Sequence, residues 1–234
     1  MVINKMQNIT AFHLKIIAII GMTMNHTVHA LGEQMPLWLQ LLLNAGGGLT
    51  FPIMAFFLVE GYRHTSNLNR YMLRVFVFAL ISQAPFVIAM GIAPYMLNIM
   101  FTLLLGLLLL RFYEKQQATW VRVLVAVPVL FISIWFDWGA IGLFVIMLYY
   151  VISDERKRRT IPGSFAGVMM LVLHSLAGDL SFFSFSIGCF IAIPLLLRYR
   201  GERGRKMKYL FYIYYPLHLA VLAVLVVIAK GLSN

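Results

Sequence analysis

Four polar residues capable of proton-transfer or charge-binding chemistry lie within one otherwise apolar stretch, residues 14–31. They are Lys15, Asn25, His26 and His29. In a helix, which advances about 1.5 Å and 100° per residue, Lys15 and His26 fall about 20° apart around the axis and about 16 Å apart along it. Polar side chains in hydrocarbon are costly and often mark a site. We therefore interpret this stretch as a membrane-spanning helix that carries reactive groups.

The composition predicts an integral membrane protein. Of the 234 residues, 62% are hydrophobic and only 12% are charged, and the mean hydropathy is +0.87. These values lie far outside the range of soluble domains. Apolar runs of about 17 to 25 residues fit spanning helices rather than the strands of a barrel. The predicted fold class is an all-α polytopic bundle forming a single transmembrane domain over residues 1–234, with no removable signal peptide.

Nine apolar runs, separated by charged or turn-rich breaks, predict nine spans. They cover residues 14–31, 37–61, 72–90, 95–112, 119–136, 138–152, 164–178, 181–197 and 209–229. Of the nineteen Lys and Arg residues, all but Lys230 fall on one side of these spans. The loops on the other side carry Glu33, Asp137 and Asp179 and no basic residue. By the positive-inside rule, the N-terminus lies in the cytoplasm and the C-terminus outside.

The formal net charge of +11 would suggest nucleic acid as the partner of a soluble protein. Here the charges follow the spans, so we interpret them as a topology signal that also contacts anionic membrane lipid, and no nucleic acid partner is expected. An anionic ligand arriving from the cytoplasm is a second interpretation. The lone cysteine, Cys189, and the lack of a zinc-binding motif predict no metal site.

Other polar residues are predicted at about the depth of His26. Three consecutive glycines, Gly46–Gly48, indicate a helix break or a close backbone approach in the second span. Asn98, His174 and His218 come from later spans. Each alone fits a structural role as well as a catalytic one, and together they favour a site. At the cytoplasmic end of the second span, Glu60 is expected to pair with Arg63 or His64.

Several stretches together resemble the TraX family of membrane proteins, named for the acetyltransferase that modifies the N-terminus of conjugative pilin. The stretches are LKIIAIIGMTMNH, GGGLTFPIMAFFLVEGYRHTSNLNRYMLRVFVFALISQAPF, LNIMFTLLLGLLL, DWGAIG and YLFYIYYPLHLAVL. The spacing of Lys15 and His26 is also similar to the first-helix motif of the wider membrane acyltransferase-3 proteins, in which that histidine is essential to transfer. The resemblance implies a multi-pass enzyme of the bacterial plasma membrane. It would move an acetyl group from cytoplasmic acetyl-CoA to an amine or hydroxyl of an external acceptor, such as pilin, a peptide or a glycan.

The resemblance also implies roles for the polar residues. His26 is expected to act as general base or transient acyl carrier, with His218 as the second candidate base. Asn25, Asn98 or a backbone amide near Gly47 is expected to stabilise the oxyanion. The residues expected to bind acetyl-CoA at the cytoplasmic side are Lys15, Tyr62, Arg63, His64, Arg70 and Arg74.

Two departures from the family pattern accompany these assignments. Relatives usually carry Asp-His where this chain has Asn25-His26, and Gly-Arg where it has Gly47-Gly48. If that Asp and Arg form an ion pair in relatives, both charges are absent here together, which is tolerated better than the loss of one partner. The joint loss would be compatible with a changed acceptor or with reduced activity.

Two other classes of function stay open at this point. A small transporter would also need a broken helix, intramembrane histidines and a polar cavity. Against it, the sequence contains no visible inverted repeat and no acidic residue near mid-membrane. The third class is a catalytically silent partner in the assembly of a surface structure.

Overall fold

The computed structural model of the chain describes residues 9–178, 180–205 and 209–232. Lys5, Asp179, Lys206 and Lys208, which belong to the charge pattern above, lie outside these residues. The described part is all-α, as predicted. Its helices are α1 (Ala11–Leu31), α2 (Leu37–Gly48), α3 (Thr50–His64), α4 (Leu68–Met90), α5 (Ile99–Lys115), α6 (Thr119–Ile132), α7 (Gly139–Val151), α8 (Glu155–Ala177), α9 (Leu180–Leu197) and α10 (Leu210–Leu232).

Each predicted span coincides with a helical segment, and α2 and α3 together form the second one. The boundaries differ most at α8, which begins at Glu155 rather than at residue 164. Asp154 caps this helix, because its Oδ1 accepts a hydrogen bond from the Lys157 backbone N–H at 2.7 Å. The helix therefore starts in a charged segment and enters the apolar region only later, so hydropathy alone placed its start too far along the chain.

Four helical segments are long and apolar enough to cross a membrane. They are Ala11–Gln34, Leu37–His64, Leu68–Met90 and Leu210–Gly231. Shorter apolar helices include α6, α7 and α9. Large apolar side chains cover the outward faces of the bundle, and α6 has no buried residue at all, whereas several polar side chains are buried inside. This distribution, with apolar residues outside and polar residues inside, is typical of a helical membrane protein.

The basic loops meet at one end of the bundle, which we call the cationic end. Contacts between these loops are the Ala11 N–H to the Glu202 carbonyl (2.9 Å), Arg158 to Glu60 (2.8 Å), Arg63 to the Tyr150 carbonyl (2.7 Å) and Arg111 to Asn69 (2.6 Å). The opposite end includes a short parallel bridge between Leu97 and Phe136. The bundle therefore has one strongly basic end and one end where the acidic Asp137 lies.

Glycine lets α2 pack directly against its neighbours. A Cβ on Gly21 of α1 would overlap the Gly46 carbonyl, and a Cβ on Gly188 of α9 would overlap the Ala45 carbonyl. Between α2 and α3 the regular helix is interrupted only at Leu49, whose φ of −72° and ψ of −17° remain right-handed. The predicted close backbone approach is confirmed, and the break is a single residue.

Candidate active site

A buried pair of histidines joins the first and last helices. The Nδ1 atom of His26 on α1 lies 2.7 Å from the Nε2 atom of His218 on α10. The ring centroids are 4.9 Å apart, and the ring planes are inclined by only 19° to one another. His26 is 6% exposed and His218 is 7% exposed. The two residues proposed as candidate bases thus form one hydrogen-bonded unit.

The hydrogen bonds of this pair determine where its protons lie. His218 Nδ1 is 2.9 Å from the Tyr214 carbonyl, and because a carbonyl oxygen only accepts, Nδ1 carries the hydrogen. In the neutral ring His218 Nε2 then has a lone pair and accepts from His26 Nδ1–H. It follows that neutral His26 keeps an unprotonated Nε2. That atom is the one able to take a proton from a substrate.

A second polar contact fixes the spacing of the same two helices. The Tyr214 hydroxyl lies 2.6 Å from Thr23 Oγ1. Thr23 itself donates to the Ile19 carbonyl at 2.9 Å, so the tyrosine is the donor between the two hydroxyls. Because Tyr214 also supplies the carbonyl that orients His218, one turn of α10 sets both the distance and the tautomer of the histidine pair.

His26 lies in the wall of a small cavity of about 30 Å³. The lining comes from five helices and the loop before α7: Met22, Asn25, His26, Gly47, Thr50, Phe51, Met54, Ile99, Asp137, Trp138 and Phe185. The buried Asn25 Nδ2 atom has no hydrogen-bond partner among the described residues. The cavity is therefore lined by a candidate base, His26, and by the unused amide donor of its sequence neighbour, Asn25.

Asp137 lines the cavity, although its place in the sequence predicts only a role in membrane topology. Burial raises the pKa of its carboxyl to about 6, and the backbone N–H of Trp138, which donates to it, opposes this shift. The Trp138 ring stacks on Phe51 with centroids 4.1 Å apart. The sequence shows a lone acidic residue between two apolar helices, which could have marked Asp137 as a site residue. The sequence does not show, however, that this loop residue lies in the cavity lining.

His29 and His174 were expected to join the same cavity. They interact electrostatically with one another, and the His174 ring packs edge-on against Phe185 with centroids 6.2 Å apart. Phe185 lines the cavity and the two histidines do not. His29 and His174 therefore do not belong to the cavity lining.

Asn98, predicted as an oxyanion donor, lies outside the cavity and caps α5. It is fully buried, and its Oδ1 accepts from the Met100 N–H at 3.0 Å. Its Nδ2 donates to the Ala79 carbonyl and to Gln83 Oε1, each at 2.9 Å. Both amide hydrogens are thus used within the protein. We assign Asn98 a structural role, because its amide has no free hydrogen to donate to an oxyanion.

Replacing Asn98 by alanine is expected to lower the free energy of unfolding by about 2–4 kcal/mol, because a cap and two tertiary hydrogen bonds are lost in a buried place. The matched control is Asn67→Ala, which removes an exposed cap of α4 and should cost about 1 kcal/mol. Thermal unfolding in detergent measures both. Equal losses for the two variants would contradict the structural assignment.

The residues predicted to bind acetyl-CoA lie at the cationic end in separate groups. Lys15 Nζ is 5.3 Å from the Phe57 ring centroid and lies near Arg203, a second cation. The Arg70 side chain is exposed. Arg74 packs over a tyrosine ring of α4 at 5.9 Å and hydrogen-bonds to a tyrosine of α10. Lys15 and Arg203 form no ion pair among the described residues, and the binding of an anionic ligand there stays a prediction.

The predicted residues at the end of α3 make contacts within the protein. The Tyr62 hydroxyl donates to the Glu114 carboxylate, which ties α3 to α5. Arg63 donates to the Tyr150 carbonyl at 2.7 Å. His64 Nδ1 lies 2.8 Å from the main-chain carbonyl one turn earlier. Some of the hydrogen-bonding groups of these three side chains are therefore already used within the protein at the cationic end.

The expected pairing of Glu60 with Arg63 or His64 is wrong. Glu60 Oε1 instead accepts from Arg158 at 2.8 Å, and Arg158 also pairs with Glu155 at 2.6 Å. Arg158 comes within reach because α8 begins in the charged segment, which brings its first turns against α3. The charge pattern could not distinguish this long-range partner from nearer ones.

These features define a class of protein, an all-α protein with several candidate membrane spans and a buried histidine pair beside a polar cavity. The chain belongs to the TraX protein family, which matches residues 11–226, so the resemblance seen in the sequence is confirmed. It is also similar to the probable fimbrial assembly protein FimC, serogroup H1, of Dichelobacter nodosus. The two are 31% identical over 175 residues, which cover 70% of this chain and 71% of that protein. No solved structure matches the chain.

Proposed function

We propose that this protein is a membrane-embedded acetyltransferase that moves an acetyl group from acetyl-CoA to an amine or hydroxyl of an acceptor. The observation that carries the proposal is the unprotonated His26 Nε2, held by a fixed chain of hydrogen bonds. The unused amide of Asn25 lines the same cavity. A general base and an oxyanion donor are the two groups that acyl transfer needs.

The proposed reaction uses these groups in one sequence. His26 Nε2 takes a proton from the acceptor N–H or O–H as the acceptor attacks the thioester carbonyl. Asn25 Nδ2–H donates to the oxyanion of the tetrahedral intermediate. When the C–S bond breaks, the CoA sulfur leaves as a thiolate and receives the proton from His26. His218 orients His26 and stabilises its transient positive charge, and so acts as a positioning residue.

The difference in charge between the two ends of the bundle supports a direction for the proposed transfer. The cationic end would lie in the cytoplasm, where Lys15 and Arg203 would attract the phosphates of CoA. A separation of about 16 Å along α1 would let the thioester arm reach from Lys15 to His26. The acceptor would enter from the opposite end, next to Asp137. Family membership and the name of the Dichelobacter nodosus relative support a pilin or another surface component as acceptor.

The direct test is acetyl transfer by purified protein with radiolabelled acetyl-CoA. Two acceptor probes separate the open alternatives, tri-alanine amide for amines and methyl glucoside for hydroxyls. Labelled probe supports the proposal. Absence of acetyl-CoA turnover, combined with probe flux into liposomes without any acyl donor, would favour a transporter instead.

Replacing Asn25 by alanine is expected to lower kcat by about tenfold to a thousandfold, because one oxyanion donor is lost. Stability should change little, since Asn25 Nδ2 has no hydrogen-bond partner among the described residues to lose. Initial rates and thermal unfolding measure the two effects. Asn98→Ala, which removes a fully bonded amide, gives the reverse pattern of lower stability with near-normal kcat per folded molecule. A stability loss without a rate loss for Asn25→Ala would remove it from the mechanism.

A further inference from the structure

The Asp137 carboxyl is the only acidic side chain in the cavity lining of the described residues. It forms no ion pair with a described Lys, Arg or His residue. Most of the surrounding wall is apolar or aromatic. A carboxylate held in such surroundings without a cation is unfavourable unless a ligand supplies hydrogen-bond donors. The Trp138 backbone N–H supplies one donor, and the remaining lone pairs of the carboxylate can accept from a ligand.

The backbone around Asp137 is held in place by several contacts. The Asp137 N–H donates to the Leu97 carbonyl at 2.8 Å, and the Thr102 hydroxyl donates to the Asp137 carbonyl. The next residue, Trp138, has φ of +64°, which is unfavourable for a bulky side chain. Such strain persists only where surrounding contacts enforce it, and it concentrates at functional sites.

Tyr215 provides a second, independent observation. Its hydroxyl is buried and donates to no acceptor among the described residues. Its ring lies 5.9 Å from His26 and 5.5 Å from His218, measured between centroids, and it interacts electrostatically with Asp137. The Tyr215 hydroxyl accepts from the Ile99 backbone N–H, and its own hydrogen is unused near both the histidine pair and the carboxylate. A buried donor of this kind costs free energy unless a group accepts its hydrogen bond.

Resting on the proposed function, we propose that Asp137 is the acceptor-binding residue, assisted by the Tyr215 hydroxyl. The Asp137 carboxylate accepts a hydrogen bond from the acceptor, either from the attacking group or from a donor beside it. The Tyr215 hydroxyl donates to an acceptor oxygen. Together they hold the nucleophile against His26 Nε2, while Asn25 faces the acetyl carbonyl.

The test uses the purified full chain with acetyl-CoA and the same two probes, tri-alanine amide and methyl glucoside. Asp137→Asn keeps the shape of the side chain and removes its charge. We expect KM for the transferred probe to rise about tenfold or more, as for a lost hydrogen bond to a charged group. Tyr215→Phe should raise it by a smaller factor. Thermal stabilisation by acetyl-CoA and probe-free hydrolysis of acetyl-CoA should stay within about twofold, because neither needs the acceptor.

The control is Glu33→Gln, which neutralises an exposed carboxyl outside the cavity and should leave every readout unchanged. An unchanged probe KM in Asp137→Asn overturns the inference, and so does an equal loss of transfer and hydrolysis, which indicates a purely structural role. If the natural protein turns over no acetyl-CoA, the proposed function fails separately. Thermal stabilisation by the probes then tests the site. If a probe stabilises the natural protein but not Asp137→Asn, the site is supported, and if neither probe stabilises the natural protein, the inference is overturned.

Discussion

The His26→Ala variant is expected to transfer acetyl groups about a hundredfold to ten-thousandfold more slowly than the natural protein, which is the range for loss of a general base. The reason is the directed chain from the Tyr214 carbonyl through His218 to His26, which leaves one basic nitrogen in the cavity. No other described histidine lines that cavity. Initial rates with saturating radiolabelled acetyl-CoA, corrected for the folded fraction, measure the effect.

Two variants separate base chemistry from general damage. His13→Ala removes an exposed histidine from the first turns of the same helix, and its rate should stay within about twofold. His218→Gln should lower kcat less than His26→Ala, because it disturbs the orientation of the base without removing it. A His26→Ala enzyme that keeps more than a tenth of the natural rate would eliminate His26 as the base.

The second large effect concerns the fold. Replacing Gly48 by alanine is expected to lower the free energy of unfolding by about 3 kcal/mol or more. The new Cβ would overlap the main-chain carbonyl of Phe185 and approach the Gly188 backbone. Neither obstacle is a flexible side chain, so α9 itself would have to shift away from α2. Denaturant or thermal unfolding in detergent measures the loss.

Gly231→Ala is the matched control, because a Cβ there meets nothing within 4 Å. It lies in the last turn of α10, where alanine should stabilise the helix by up to about 1 kcal/mol. Similar stabilities for the Gly48 and Gly231 variants would show that α2 and α9 are not closely packed.

The same packing bears on the charge pair suggested by the family pattern. A Cβ at position 47 would meet Asn25, whereas a Cβ at position 48 points toward α9. In this chain the two departures from the family pattern therefore do not face one another, and Gly47 is the true neighbour of Asn25. The sequence suggested positions 25 and 48 as partners, but it does not give the rotation of α1 and α2 about their axes, which turns position 48 toward α9.

Much of the architecture could be predicted from the order of residues. Each hydrophobic run coincides with a helical segment, although α2 and α3 were expected as one span, because a backbone in lipid must satisfy its hydrogen bonds internally. The basic loops were expected on one side, and contacts such as Arg158 with Glu60 and Arg63 with Tyr150 bring several of them to one end. His26 was also identifiable, because a titratable group in an apolar helix has few structural reasons to be there.

The tertiary structure alone decided how the polar residues divide between chemistry and support. Asn25 and Asn98 look alike in the sequence, yet one amide is unused in the cavity and the other is fully bonded around a helix cap. His218 orients His26 across 192 positions of chain. Asp137 reaches the cavity only through the loop before α7. A hydrogen bond forms or is lost when the donor–acceptor distance changes by a few tenths of an ångström or when a helix rotates about its axis. Local hydropathy encodes neither the distance nor the rotation. Local pattern therefore determined the apolar helices and pointed to His26, and packing between distant helices determined the partner, the tautomer and the cavity of that histidine.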